Sequence, residues 1–168
     1  GGSDFACVLG QEMAGYATGE AFFVSQALGF RHSHLDSAGY SYDQKTTEKD
    51  VDKAVEFLVE DEKGRALLTS MVSCLFARNV YTDEVVSDCL KIIGYNDLAA
   101  KLGSVASYVQ RLRWNLRFAS GFNPEQVTIP KRFGEVTTVK GPIDMSYLDA
   151  LKKEYGKRIQ AMASAALP

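Results

Sequence analysis

The chain has 168 residues, 46% of them apolar and 24% charged, with a formal net charge of −2. That length and balance argue for one globular domain able to bury a substantial core. A net charge near zero gives no footprint for nucleic acid, and no apolar run of about 18 residues is present to cross a membrane.

The charge is unevenly spread. Residues 1–84 carry 14 acidic and 7 basic groups, whereas residues 85–168 carry 7 and 12. Solvated helix faces account for such a split; a basic docking surface around Arg111, Arg113, Arg117, Lys131 and Arg132 is the other reading. Three cysteines, Cys7, Cys74 and Cys89, form no C-x-x-C pair. With no secretory signal expected, an odd count points to a reducing compartment, hence a cytoplasmic location. Each cysteine read singly is expected to be a small buried hydrophobe. The opening Gly1-Gly2-Ser3 reads as a tag remnant or a cut within a longer protein.

In chain order, residues 20–28 are expected to form a helix that Gly29 ends. Residues 47–62 are the most regular stretch, with Val51, Ala54, Val55, Leu58 and Val59 on one helical face. Thr47 and Asp50 fit a capping box there, and Gly64 is expected to interrupt the pattern. A second buried helix should run over residues 66–76. Thr82-Asp83-Glu84 begins another, with acids at the positive end of its dipole, an apolar face of Val85, Val86, Cys89, Leu90 and Ile93, and a stop at Gly94. Residues 96–102 read as a short helix ended by Gly103. Ser104 then caps a long one to about residue 119, with Val105, Tyr108, Val109, Leu112 and Leu116 facing inward. Pro124, Pro130 and Pro142 make residues 122–145 irregular. Ser146 and Asp149 start a last helix carrying Leu148, Leu151 and Tyr155, with fraying after Ile159. No strand-type alternation persists, so the expected class is all-α, a single domain of five to seven helices.

Both histidines of the chain lie in one run, Arg31-His32-Ser33-His34-Leu35-Asp36. Acid–base or metal chemistry near neutral pH is therefore expected to pass through it. Its flanks are rich in hydroxyls and small residues, as suits the wall of a polar cavity. The His-x-His-x-Asp pattern occurs in dinuclear zinc hydrolases of the metallo-β-lactamase type. Those sites need further histidines and β layers, which this chain lacks. Two readings stay open. The histidines are structural and the chain is a free-standing helical interaction module using its arginine face, or a histidine beside a cofactor handles a proton for a small substrate.

Three ordered motifs bear on that choice. The first is Tyr16-Ala17-Thr18-Gly19-Glu20 followed by Ala27-Leu28-Gly29-Phe30-Arg31-His32-Ser33-His34-Leu35-Asp36-Ser37-Ala38-Gly39-Tyr40. The second is Ser70-Met71-Val72-Ser73-Cys74-Leu75-Phe76. The third is Arg113-Trp114-Asn115-Leu116-Arg117-Phe118, then Gly121-Phe122-Asn123 and Ile129-Pro130-Lys131-Arg132-Phe133. Together, over roughly residues 10–135, they resemble the carboxy-terminal helical region of aldehyde ferredoxin oxidoreductases, which are tungsten- or molybdenum-pterin enzymes.

The resemblance implies oxidation of a small aldehyde to a carboxylic acid, with electrons leaving through the metal–pterin and a [4Fe–4S] cluster to ferredoxin. It implies that His34, or else His32, takes the proton released as oxygen adds to the carbonyl carbon. Tyr40 and Tyr42 would line the substrate cavity, and Cys74 would be the last cluster ligand. The family pattern D-x-x-G-L-C corresponds here to Thr69, Val72, Ser73 and Cys74. Thr69 and Ser73 are thus the cofactor-side residues, with a hydroxyl where the family has an acid. The family's arginine-glycine-tryptophan signature near its end is missing, as are its pterin-binding amino-terminal domain and its C-x-x-C-x-x-x-C run. The chain is therefore expected to be part of a longer enzyme, its partner being the missing amino-terminal part. By itself it should hold no tungsten, molybdenum or cluster and be inactive. Uncovered apolar surface would favour homo-oligomers.

Overall fold

A computed structural model describes residues 7–8, 11–12, 17–30 and 35–165. Among these the architecture is all-α, with seven helices: α1 (Glu20–Leu28), α2 (Gly39–Lys45), α3 (Val51–Ser70), α4 (Asp83–Ile92), α5 (Asn96–Ala100), α6 (Leu102–Ala119) and α7 (Met145–Ser164). Short 3-10 turns occupy Leu75–Ala77, Pro124–Gln126 and Lys131–Glu135. Two antiparallel pairs of two-residue strands complete it. β1 (Cys7–Val8) pairs with β2 (Gln11–Glu12), Cys7 opposite Glu12, and β3 (Thr137–Thr138) pairs with β4 (Gly141–Pro142), Thr137 opposite Pro142.

The core forms around α1, whose residues are all buried. Such a helix must be covered on every side. It packs against α2, α3 and α7, while α6 closes the far side of α3 and α7. Phe22, Val24 and Leu28 meet Val55 and Leu58 of α3, Trp114 of α6, and Leu148, Leu151, Tyr155 and Ile159 of α7. Fully burying a side chain of this size contributes about 1.5–3 kcal/mol, so this cluster dominates the stability of the fold. A smaller cluster, Leu67, Val86, Leu102 and Ala106, fastens α4 to α3 and α6.

Helix α2 forms where the sequence read as cavity wall, and tertiary contacts explain it. A Cβ at Gly39 would come within 2.5 Å of the Ala21 carbonyl oxygen, so α2 lies against the α1 backbone as only glycine allows. From α2, Asp43 reaches back to cap α1, accepting from Phe22 N at 2.8 Å and Ala21 N at 3.3 Å. Gly19 leaves the room this carboxylate needs. Burial pushes the Asp43 carboxyl up to about 6 against those two backbone donors, which pull it down.

Several boundaries differ from expectation. Asp50, not Thr47, caps α3, accepting from Lys53 N at 3.0 Å. The helix runs through Gly64 to Ser70, because Gly64 faces open space while Ala66, Leu67 and Leu68 are buried beyond it. Leu102 and Gly103 belong to α6, and Ser104 does not cap it. Asp144 caps α7, which continues past Ile159 to Ser164. On α4 only Val86 is buried; Val85 and Cys89 are exposed, as are Ile93 just past its end and Tyr108 and Leu116 of α6.

Candidate functional site

His32 and His34 lie outside the described residues, and their flanks do not. Leu35, next to His34, borders a hollow of about 300 Å³ together with Thr18, Tyr40, Gln44, Leu75, Phe76 and Arg78. Leu75 and Phe76 follow Cys74 directly. The neighbours of His34 and of Cys74, far apart in sequence, therefore share one hollow with Tyr40 on its wall. A second hollow of about 590 Å³ lies alongside and shares Tyr40, Gln44 and Arg78. Thr69 and Ser73 border neither hollow; Thr69 is exposed and Ser73 half-buried. Tyr42 lies apart, its ring 5.2 Å from that of Phe57, and borders a smaller cleft between α2 and β4.

Local backbone chemistry presents Cys74. After Ser70, helix α3 closes with Ser73 N donating to Leu68 O at 3.0 Å and Val72 N donating to Thr69 O at 3.1 Å. This paired pattern places its penultimate residue in the left-handed region, where glycine is usual. Val72 occupies it with φ 57°. A β-branched residue there costs about 1–2 kcal/mol. The turn throws the chain outward, leaving the Cys74 thiol exposed, Val72 93% exposed and Phe76 89% exposed. Cys89 is also exposed. The expectation of buried cysteines thus fails at both described thiols: Cys74 lies in the turn that leaves α3, and Cys89 on α4, where Val86 is the one buried residue.

The flanks of residues 31–34 are held from two helices. At the near side, the Phe30 ring lies 4.3 Å from Trp114 and 3.9 Å from the Arg113 guanidinium. The Phe30 carbonyl accepts from Arg117 Nη1. At the far side, Leu35 O accepts from Arg65 Nη1 at 3.0 Å, and Asp36, buried, lies 3.5 Å from Arg113 Nη2. Asp61 ties this to α3, accepting from Ala38 N at 2.7 Å and from Arg65 Nε at 2.6 Å. Arg113 and Arg117, both half-buried, therefore direct their guanidinium groups at partners within the fold, with Arg117 also 4.2 Å over Phe122. These inward contacts engage two of the five groups, Arg111, Arg113, Arg117, Lys131 and Arg132, of the expected basic surface.

A buried carboxylate beneath this arrangement went unforeseen. Glu62 is fully buried; its Oε1 accepts from Gln110 Nε2 and Trp114 Nε1, both at 2.7 Å, and its Oε2 accepts from Tyr155 OH at 2.9 Å. Burial pushes its carboxyl up to about 7 despite those three donors. The signal was an acid four residues after Leu58, on the apolar stripe of α3.

Among the described residues no group of three His, Cys, Asp or Glu side chains is arranged to hold a metal ion. Cys74 is a free, exposed thiol, and the residue that follows it, Leu75, borders the shared hollow. No helix among the described residues is long and apolar enough to cross a membrane. Comparison with family models, curated proteins and solved structures finds no match for this chain.

Proposed function

We propose that this chain serves as the carboxy-terminal helical part of a cytoplasmic oxidoreductase resembling the aldehyde ferredoxin oxidoreductases. The observation that supports this most is the hollow bordered by Leu35, Tyr40 and Leu75. It joins the surroundings of the two residues to which the resemblance gives chemistry, although some 40 residues separate them. The left-handed conformation of Val72 also supports it, because that position matches the glycine of the family's D-x-x-G-L-C pattern.

In this reading Cys74, as a thiolate, holds one iron, and the other cluster ligands come from the amino-terminal part. That part would seat on the apolar ridge beside Cys74, where Val72, Phe76 and Val80 are exposed. When bound, the metal–pterin supplies the two-electron oxidation of the aldehyde, and the cluster passes the electrons to ferredoxin. The residues of this chain handle shape and protons. Tyr40 and Leu35 bound the cavity that receives a small aldehyde, and the His34 imidazole takes the proton released as oxygen adds to the carbonyl carbon. Thr69 and Ser73 border neither hollow, which argues against their clamping a pterin seated there.

The test uses the complete protein encoded with its upstream sequence, purified without oxygen. Iron, tungsten and molybdenum are measured beside aldehyde-dependent reduction of ferredoxin. Cys74→Ser is expected to lower bound iron, whereas His34→Ala lowers kcat more than tenfold with metal content unchanged. A complete protein free of iron and pterin overturns the proposal. That outcome would favour the other reading, a helical interaction module that uses the same exposed ridge to bind a protein partner.

A further inference from the structure

Arg117 turns inward without meeting a carboxylate. Its Nη1 donates to the Phe30 carbonyl, and its guanidinium lies 4.2 Å from the centre of the Phe122 ring. Its Nε is shut off from solvent and has no acceptor among the described residues. The carboxylates whose charge reaches it, Glu62 and Asp36, are engaged elsewhere. Glu62 accepts from Gln110, Trp114 and Tyr155, and Asp36 faces Arg113. Burial pulls the Arg117 guanidinium below its ordinary value, the mark of a cation short of solvent and counter-charge. A charge drawn in and left unpaired costs several kcal/mol unless something else pairs it.

Arg117 also borders a hollow of about 380 Å³ where α6 ends, which shares no lining residue with the two hollows near Cys74. Ser120, Gly121, Phe122, Asn123 and Gln126 line it too, and among the described residues no carboxylate does. The last carbonyls of a helix repel anions, but here the chain closes them itself. Leu116 O accepts from Ser120 N, Phe118 O from Gly121 N and Arg117 O from Phe122 N. Asn123 Oδ1 accepts from Glu125 N at 2.9 Å, which leaves Asn123 Nδ2 to donate. Gly121, at φ 89°, has open space where a Cβ would stand, so a ligand can approach its backbone closely. We propose that this hollow binds a small organic acid, Arg117 and Asn123 Nδ2 meeting its carboxylate while Phe122 and Val127 cover a short apolar chain. A guanidinium suits the task, because its edge pairs with a carboxylate while its face stays on an aromatic ring. The site stands apart from the proposed oxidoreductase chemistry and needs none of it.

The test is a titration of the nitrogen-15-labelled 168-residue chain with butyrate, and separately with inorganic phosphate, at low ionic strength. The signals followed are Gly121 N–H, the Asn123 side-chain amide and Arg117 Nε–Hε, with the Trp114 indole N–H as the fold reporter. Butyrate should shift the first three together and saturate them with a dissociation constant of about 1 mM or less. Phosphate should bind at least about tenfold more weakly, since it offers nothing to Phe122 and Val127. Arg117→Gln should weaken butyrate at least about tenfold. Asn123→Asp should do the same with the Trp114 signal in place. It keeps the oxygen that accepts from Glu125 N, removes the Nδ2 donor and sets a negative charge where the ligand's would lie. Should Arg117→Gln lose the Trp114 signal, Asn123→Asp decides. The proposal is overturned if butyrate fails to saturate these signals, if phosphate binds as well as butyrate, or if Asn123→Asp leaves butyrate affinity unchanged. None of these readings involves iron, pterin or aldehyde turnover, so this site and the proposed function fail separately.

Discussion

Replacing Glu62 by Gln should make the domain more stable at pH 8 and remove much of its pH dependence. The carboxyl lies at about 7 in the folded protein against an ordinary 4.5. Its folded-state pKa is raised, so the stability it contributes is complete below about pH 4.5 and is lost as pH rises through 7. A difference of that size corresponds to about 3 kcal/mol. Asp43, at about 6, acts in the same direction over a lower window, and it is unaffected by the change at Glu62. Gln keeps the oxygen that accepts from Gln110 and Trp114, and the Tyr155 hydroxyl can rotate to accept from the new amide. Glu62→Ala differs in kind. It strands the Trp114 indole N–H and the Tyr155 hydroxyl at about 1–3 kcal/mol each, a large share of the 5–15 kcal/mol that holds a domain together, while the Gln110 amide keeps its bond to the Val59 carbonyl. Urea unfolding followed by the fluorescence of Trp114, the single tryptophan, reads all three proteins at pH 5 and pH 8. If Glu62→Gln retains the wild-type change between those pH values, or is the weaker protein at pH 8, the carboxylate is not held as described.

Two further substitutions test the backbone that frames the hollow. Val72→Gly should stabilise the isolated chain by about 1 kcal/mol in the same unfolding assay, since glycine occupies the left-handed region without a Cβ penalty and no buried contact is lost. A loss of stability would mean that the valine side chain is packed after all. Gly39→Ala should cost about 1–3 kcal/mol, because its Cβ meets not only Ser25 Oγ but the Ala21 carbonyl, backbone of α1 that cannot move aside. A neutral Gly39→Ala would show that α2 does not lie so close.

The parts of the fold legible in the sequence are those decided locally. Both ends of α1 follow from its apolar content and the glycine after it, and the caps of α4 follow from Thr82 and Gly94. The failures share another cause. Gly64 looked like a stop because propensity weighs about 1 kcal/mol against it. Leu67 and Leu68 bury more than that on the far side, so the helix continues. Helix α2 carries few helix formers and exists because Asp43 is needed at the head of α1.

The same division runs through the candidate site. Spacing and residue type singled out Cys74, Tyr40 and the two histidines, because thiol, phenol and imidazole announce their chemistry one residue at a time. What spacing could not convey is which charges attend them. Arg65, Arg113 and Arg117 counted toward a charge balance, and Arg113 and Arg117 toward a surface. An arginine on a helix looks the same in sequence whether its guanidinium meets water or a buried ring. Phe30 and Asp36 decide the matter for Arg113, and they lie 83 and 77 residues away. A cation drawn inward must be met by partners, since a buried charge left unpaired costs several kcal/mol; Arg65 finds Asp61 and a carbonyl, Arg117 a ring and a carbonyl, and Arg113 a ring and a carboxylate. The flanks of the histidine segment offer that pair. Residues that carry no chemistry of their own thus account for the inward turn of Arg113 on α6.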